Sequence, residues 1–131
     1  MKKTLITAAL LTVLLPVGSD TLARDGSAHT QKGIASYYHD SFQGRKTASG
    51  QRYSKHRFSA AHRTLPIGTK VQVTDTKTGR SIVVKVNDRG PFARGRIIDL
   101  SREAATELGI VKKGVAKVEL KVLSLPLSHD S

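Results

Sequence analysis

Two segments that alternate polar and β-branched residues constrain this fold more than any other feature of the chain. Lys70-Val-Gln-Val-Thr-Asp75 and Ser81-Ile-Val-Val-Lys-Val86 both place valine or isoleucine at every second position. Successive side chains of a strand point to opposite faces, so this pattern gives one buried face and one wet face. Thr76-Lys-Thr-Gly79 supplies a turn between them, and the pair is predicted to form a hairpin. Gly33-Ile-Ala-Ser-Tyr-Tyr38 reads as an earlier strand, and Val115 to Leu123 (VAKVELKVL) as a closing one. One helix is predicted from Ser101 to Leu108, with Ser101 as its cap, Glu103 in the first turn and Gly109 as its stop. Leu100, Ala104, Ala105 and Leu108 share one narrow face of it. Short strands with a single short helix suggest a small closed barrel, the arrangement that leaves no free sheet edge.

The N-terminus reads as an address. Met1-Lys2-Lys3 precedes an apolar run from Leu5 to Val17, and small residues follow up to Ala23. That is the layout of a secretory signal peptide over residues 1–23, cleaved after Ala23. No other stretch approaches the roughly 18 apolar residues of a membrane span. Residues 24–31 read as a polar lead-in, 32–123 as one domain and 124–131 as a tail. The expected product is exported to the periplasm, the cell envelope or the medium, and is monomeric. The chain of 131 residues has no cysteine, which leaves no disulfide, thiolate metal site or cysteine nucleophile. Its net charge of +12 predicts an anionic partner. Loss of Lys2, Lys3 and Asp20 with the leader lowers that charge only to +11, and export argues against nucleic acid.

Carboxylates are few, which narrows the search for chemistry. Asp88 lies in Val86-Asn-Asp-Arg-Gly-Pro-Phe92. It reads either as a turn residue bonding its own backbone or as a general acid/base at a strand end. Asp99, just before the helix, reads as a carboxylate meeting the helix's positive end. Glu103, Glu107 and Glu119 read as surface. The five histidines show no HExxH or comparable spacing, so neither a metal nor a cofactor is expected. There is likewise no GxSxG and no phosphate-binding glycine loop. From Ser41 to Thr74 the chain carries seven basic residues (Arg45, Lys46, Arg52, Lys55, Arg57, Arg63, Lys70) and no acidic one. Tyr38, Phe42 and Tyr53 flank or interleave this stretch. It reads either as a solvated basic face or as a groove for an anionic polymer, with rings for sugars or bases.

Five segments in series resemble the rare lipoprotein A (RlpA) family of septal lytic transglycosylases. They are Gly33–Tyr38, Gly44-Arg-Lys-Thr-Ala-Ser-Gly50, Ala60-Ala-His-Arg-Thr-Leu-Pro-Ile-Gly68, Val86–Phe92 and Arg96-Ile-Ile-Asp-Leu-Ser101. The resemblance implies a six-stranded double-psi β-barrel with one or two short helices. It also implies a peptidoglycan glycan substrate, preferably stripped of stem peptides. The family's catalytic aspartate falls on Asp88 and its active-site histidine on His62. Tyr38, Arg45, Thr47, Gln51, Arg52, Asn87 and Arg89 are the expected substrate contacts. Three departures stand out: the family's acidic residue after Thr-Ala-x-Gly is Gln51, and there is neither a lipobox cysteine nor a peptidoglycan-binding C-terminal domain. The chain is therefore expected to be unanchored. A lytic transglycosylase needs only one carboxyl, because the sugar's own 6-hydroxyl displaces the leaving group. The alternative is an expansin-like module that binds glycan without cutting it.

Overall fold

A closed barrel forms the body of the protein, and it grows from the predicted hairpin. The computed structural model describes residues 30–126. The chain divides into two units, 1–30 and 31–131, and the barrel belongs to the second. The described residues hold six strands: β1 (Thr30–Tyr37), β2 (Ser59–Ala61), β3 (Lys70–Asp75), β4 (Ser81–Asp88), β5 (Arg96–Leu100) and β6 (Ala116–Ser124). Around the barrel they run in the order β1-β5-β2-β4-β3-β6. Two pairs are parallel, β1 with β5 and β2 with β4, while β2–β5, β3–β4 and β3–β6 are antiparallel. One helix, α1 (Arg102–Leu108), and a three-residue 3-10 turn at Asp40–Phe42 complete the regular structure of the described residues.

The alternation in β3 and β4 does what its period requires. Val71 pairs with Val84 and Val73 with Ile82, and all four face the core. Val118 and Leu120 of β6 close the same core from the other side of β3. The helix cap is as predicted: the Ser101 side chain accepts from Ala104 N at 3.3 Å. Gly109 sits in the left-handed region at φ 85°, where its N–H reaches the carbonyls of Ala105 and Thr106. Ala104, Ala105 and Leu108 are buried against the barrel, as the helical face predicted.

Several boundaries differ from the sequence reading. β1 starts at Thr30, so the last two residues of the expected lead-in are strand. Polar composition hides this, and Gln31 is tied in by its side chain rather than by burial: its Oε1 lies 2.9 Å from His62 Nε2. β6 runs to Ser124, one residue into the expected tail. β2 and β5 were not foreseen as strands. Ser59-Ala-Ala has no β-branched residue, and it becomes a strand because β4 and β5 flank it on both sides. The proposed leader, residues 24–29, and the end of the tail from 127 lie outside the described residues.

Ser101 is wholly buried and joins the helix to β2, also accepting from Ser59 N at 3.4 Å and donating to the Arg57 carbonyl. Ser101→Ala should therefore cost about 2 kcal/mol, the loss of an N-cap plus buried groups left unpaired. Urea denaturation checks this, and an unchanged midpoint would contradict it.

Candidate active site

The site arises from one irregularity in the barrel. Ala60 of β2 pairs with Val86 of β4, but the next residue, Ala61, pairs with Asp88. Asn87 is thus the extra residue of a bulge. It turns Asp88 to the outer face while Val86 stays in the core. On its other side Ala61 pairs with Asp99 of β5, and Asp99 pairs with Ser36 of β1. Directly paired residues share a face, so Ser36, Asp99, Ala61 and Asp88 form one row across four strands. Ser36 and Ala61 are nevertheless buried.

The segment from Tyr38 to Phe58 supplies the wall over this row, and it is fastened to Asp88. Asp88 Oδ2 accepts from the Tyr38 hydroxyl at 2.5 Å, and Oδ1 accepts from Ala48 N and Arg89 N, each at 2.9 Å. Ala48 is presented by a tight turn. Thr47 Oγ1 donates to the Gln51 carbonyl at 2.5 Å, and Ser49 N donates to the Asn87 carbonyl at 3.1 Å. Gly50 takes φ 91°, which only glycine adopts readily. The Thr-Ala-Ser-Gly motif is therefore a device for aiming one backbone N–H at Asp88.

Aromatic rings form the rest of the wall. Tyr38 stacks on Tyr53 with centroids 4.4 Å apart and meets Phe42 edge-on at 5.5 Å. The Arg45 guanidinium lies 4.7 Å over the Phe42 ring. Tyr53 accepts from Arg102 N at 3.1 Å, which anchors the stack to the start of α1. A cavity of about 230 Å³ opens between Tyr38, Phe42, Arg45, Thr47, Tyr53 and Asp88. Burial, and then the hydrogen bond to Asp88 and its charge, push the Tyr38 hydroxyl well above the usual tyrosine range. Tyr38 therefore remains a proton donor to Asp88 at any physiological pH.

The remaining predicted residues divide into separate groups. Gln51 and Asn87 bond each other, Asn87 Nδ2 donating to Gln51 Oε1 at 3.1 Å. They line an adjoining cavity of about 410 Å³ with Arg57, Phe58, Ile67 and Lys85. Gln51 and Asp88 thus face different hollows, separated by the 47–50 turn. His62 is buried and its ring is fully engaged. Nδ1 accepts from Thr64 N at 3.2 Å and Leu65 N at 3.1 Å, which leaves Nε2 to donate to Gln31. Arg89 points away from the Asp88 carboxyl, donating to the carbonyls of His62 at 3.1 Å and Leu65 at 2.6 Å. Arg52 donates to the Gly44 carbonyl at 2.9 Å and braces the turn. Asp99 does not serve the helix end; it accepts from Ser36 Oγ and pairs with Arg96 at 3.2 Å. Sequence reasoning missed Ala48, whose contribution is backbone, and the walls Phe58 and Lys85. The exposed phenylalanine at 58 within a basic stretch was the available signal.

A bulged, closed six-stranded barrel of mixed strands with one short helix defines a double-psi β-barrel protein. Known proteins agree with that class. The Lytic transglycolase family model matches residues 30–120, so the chain belongs to that family, with RlpA proteins as its relatives. The endolytic peptidoglycan transglycosylase RlpA of Pasteurella multocida is 48% identical over 103 residues, 79% of this chain and 35% of that protein. A probable counterpart in Nostoc sp. is 56% identical over 94 residues, 70% of this chain and 25% of that protein. The chain thus spans roughly a quarter to two-fifths of the length of the curated relatives it matches. Among solved structures, Streptomyces papain inhibitor superposes with a TM-score of 0.59 at 27% identity, covering 72% of this chain and 94% of the inhibitor. The apo expansin of Clavibacter michiganensis gives 0.57 at 25% identity, covering 75% of this chain and 52% of the expansin.

Burial, helped by the positive charges of Arg63 and Arg89, pushes the His62 imidazole below its usual value near 6.5. A depressed value means that the neutral, loop-holding ring contributes its stability above about pH 6.5, and that this is lost as pH falls through the lowered value. His62→Ala should cost about 1–3 kcal/mol at pH 8, because two backbone N–H groups lose their acceptor. Thermal melts of both proteins at pH 8 and pH 5 should show the gap narrowing in acid. A gap that does not change with pH would contradict this role.

Proposed function

We propose that this barrel is a peptidoglycan lytic transglycosylase, exported to the cell envelope and acting on glycan strands, preferably those without stem peptides. The observation that carries the reading is the Asp88 carboxyl, placed at a strand bulge and opening onto an aromatic-walled hollow. The names of the RlpA relatives support the same substrate. The half-buried Tyr38 ring, backed by the buried Tyr53, suits contact with a sugar ring, and Arg45 beside Phe42 suits the lactyl carboxylates of muramic acid.

The chemistry asks one group to handle one proton twice. Asp88 gives a proton to the glycosidic oxygen as the bond from the anomeric carbon to that oxygen breaks. The 6-hydroxyl of the same sugar then bonds to the anomeric carbon and returns its proton to Asp88. The product carries a 1,6-anhydro ring and no water is consumed. Tyr38 orients the carboxyl through Oδ2, while Arg89 is held off on backbone carbonyls and leaves the proton free to move. His62 and Arg89 together hold the 62–65 loop against the end of β4, a positioning role.

Gln51 supports a second reading, that of a module which binds glycan without cleaving it. Its amide carries no charge, and it faces the neighbouring hollow with Asn87. Incubation with denuded strands, followed by mass spectrometry for 1,6-anhydro-muramyl ends, decides between the two. The transglycosylase reading predicts such ends from the native chain and none from Asp88→Asn. Retention of the ends in Asp88→Asn would remove Asp88 from the chemistry. Their absence from the native chain, with appearance in Gln51→Glu, would establish the binding module.

A further inference from the structure

We propose that the end of the barrel opposite Asp88 is a docking surface for an anionic lipid bilayer, built from lysines around an exposed valine. It uses nothing of the glycan-cleaving reading, so the two stand or fall separately.

Two turns build this end. The 76–79 turn links β3 to β4, and the 111–115 segment leads from the helix into β6. Thr76 N donates to the Lys117 carbonyl at 3.0 Å, which ties the first turn to the start of β6. Asp75 is buried here, and its Oδ1 accepts from Lys77 N at 2.8 Å and Thr78 N at 3.3 Å. A cavity of about 500 Å³ opens between Ile34, Lys77, Lys113, Val115 and Lys117. A second, of about 290 Å³, adjoins it through Ile34, Thr76 and Lys117 and adds Lys32.

The charge at this end is unspent. Arg45 lies on a ring, and Arg52 and Arg57 donate to backbone carbonyls. By contrast, the ammonium groups of Lys32, Lys77 and Lys117 enter no hydrogen bond or ion pair among the described residues. Lys113 Nζ stands 4.0 Å from Asp75 Oδ2, an ion pair too long to be a hydrogen bond. Among the described residues Asp75 is the single acid that lines either cavity; Glu119 lies further along β6, opposite Thr74. Lys112 adds another exposed cation beside Lys113.

The make-up of the surface selects the partner. Lysine is a hydrated point charge with no fork for one particular carboxylate or phosphate, and no arginine lines these cavities. Val115, in their midst, is 47% exposed. Lysines around an exposed apolar side chain suit a membrane interface. The valine enters the headgroup boundary, and the long lysine stems hold their charges among lipid phosphates. β4 runs from Ser81 at this end to Asp88, which at about 3.3 Å per residue separates the two ends by about 20 Å. A bilayer on the lysines thus leaves the Asp88 hollow clear.

The test is vesicle co-sedimentation of the chain from Arg24 onward, which keeps the whole barrel. It should bind phosphatidylcholine vesicles holding about one-third phosphatidylglycerol but not phosphatidylcholine alone, and about 0.5 M salt should release it. Lys77→Gln, Lys113→Gln and Lys117→Gln together should weaken binding on the order of 100-fold, at about fivefold per lysine. Arg63→Gln, Lys70→Gln and Lys121→Gln together remove the same charge elsewhere and should cost under about threefold. Unchanged melting temperatures confirm that both sets fold, and equal losses from the two would overturn the proposal. The chain has no tryptophan, so Val115→Trp and Leu123→Trp each report on one position with every lysine in place. Emission on anionic vesicles should move to the blue for Val115→Trp and stay put for Leu123→Trp; any other pattern would overturn the proposal. If the Lys77, Lys113 and Lys117 variant loses retention on isolated peptidoglycan and keeps vesicle binding, the surface belongs to wall carboxylates and the bilayer assignment fails.

Discussion

The hydrogen bonds converging on Asp88 hold the functional half of this molecule together. They act with the bonds from Ser101 to the Arg57 carbonyl, from Arg102 N to Tyr53 and from Ser49 N to the Asn87 carbonyl, which fasten the same segment, Tyr38 to Phe58. With Tyr38 on one carboxyl oxygen and Ala48 N on the other, it becomes a wall over the outer face of the barrel. The same contacts place the acid. The bulge at Asn87 turns Asp88 outward, and the loop then closes around it into a hollow. Folding and chemistry thus use the same carboxyl, so a substitution at Asp88 tests both and needs a stability measurement beside it.

The hairpin β3–β4, the closing strand and the helix with both its caps were legible, because each is governed by local rules: alternation, a serine cap, a glycine stop. β2 and β5 were not, because Ser59-Ala-Ala and Arg96-Ile-Ile-Asp-Leu become strands only through their neighbours on both sides. The site was legible in part. Asp88, Tyr38 and Thr47 of the residues singled out in the sequence line one hollow, whereas His62 and Gln51 do not join it. The motif around Thr47 gave no hint that its working group is the backbone N–H of Ala48. Asp99 was misread for a physical reason: near a helix start an acid is ordinarily drawn to the helix end, but Ser101 already fills that place and Asp99 belongs to the sheet.

Charge looks different once it has a location. The acid-free stretch from residue 41 to 74 does not form one uniform basic face. Arg52 and Arg57 spend donors on backbone carbonyls, and Arg45 lies on an aromatic ring. Basic side chains line both hollows beside the 47–50 turn, Arg45 and Lys46 at the one with Asp88, and Arg57 and Lys85 at the one with Gln51.

The central claim is spatial: the bond to be broken lies over Asp88, on the outer row between β4 and β5. A crystal structure of the chain with a bound GlcNAc–MurNAc tetrasaccharide tests it most directly. The account predicts a glycosidic oxygen about 3 Å from the Asp88 carboxyl, with a sugar ring against Tyr38. A glycan bound at the opposite end of the barrel, away from Asp88, would contradict it.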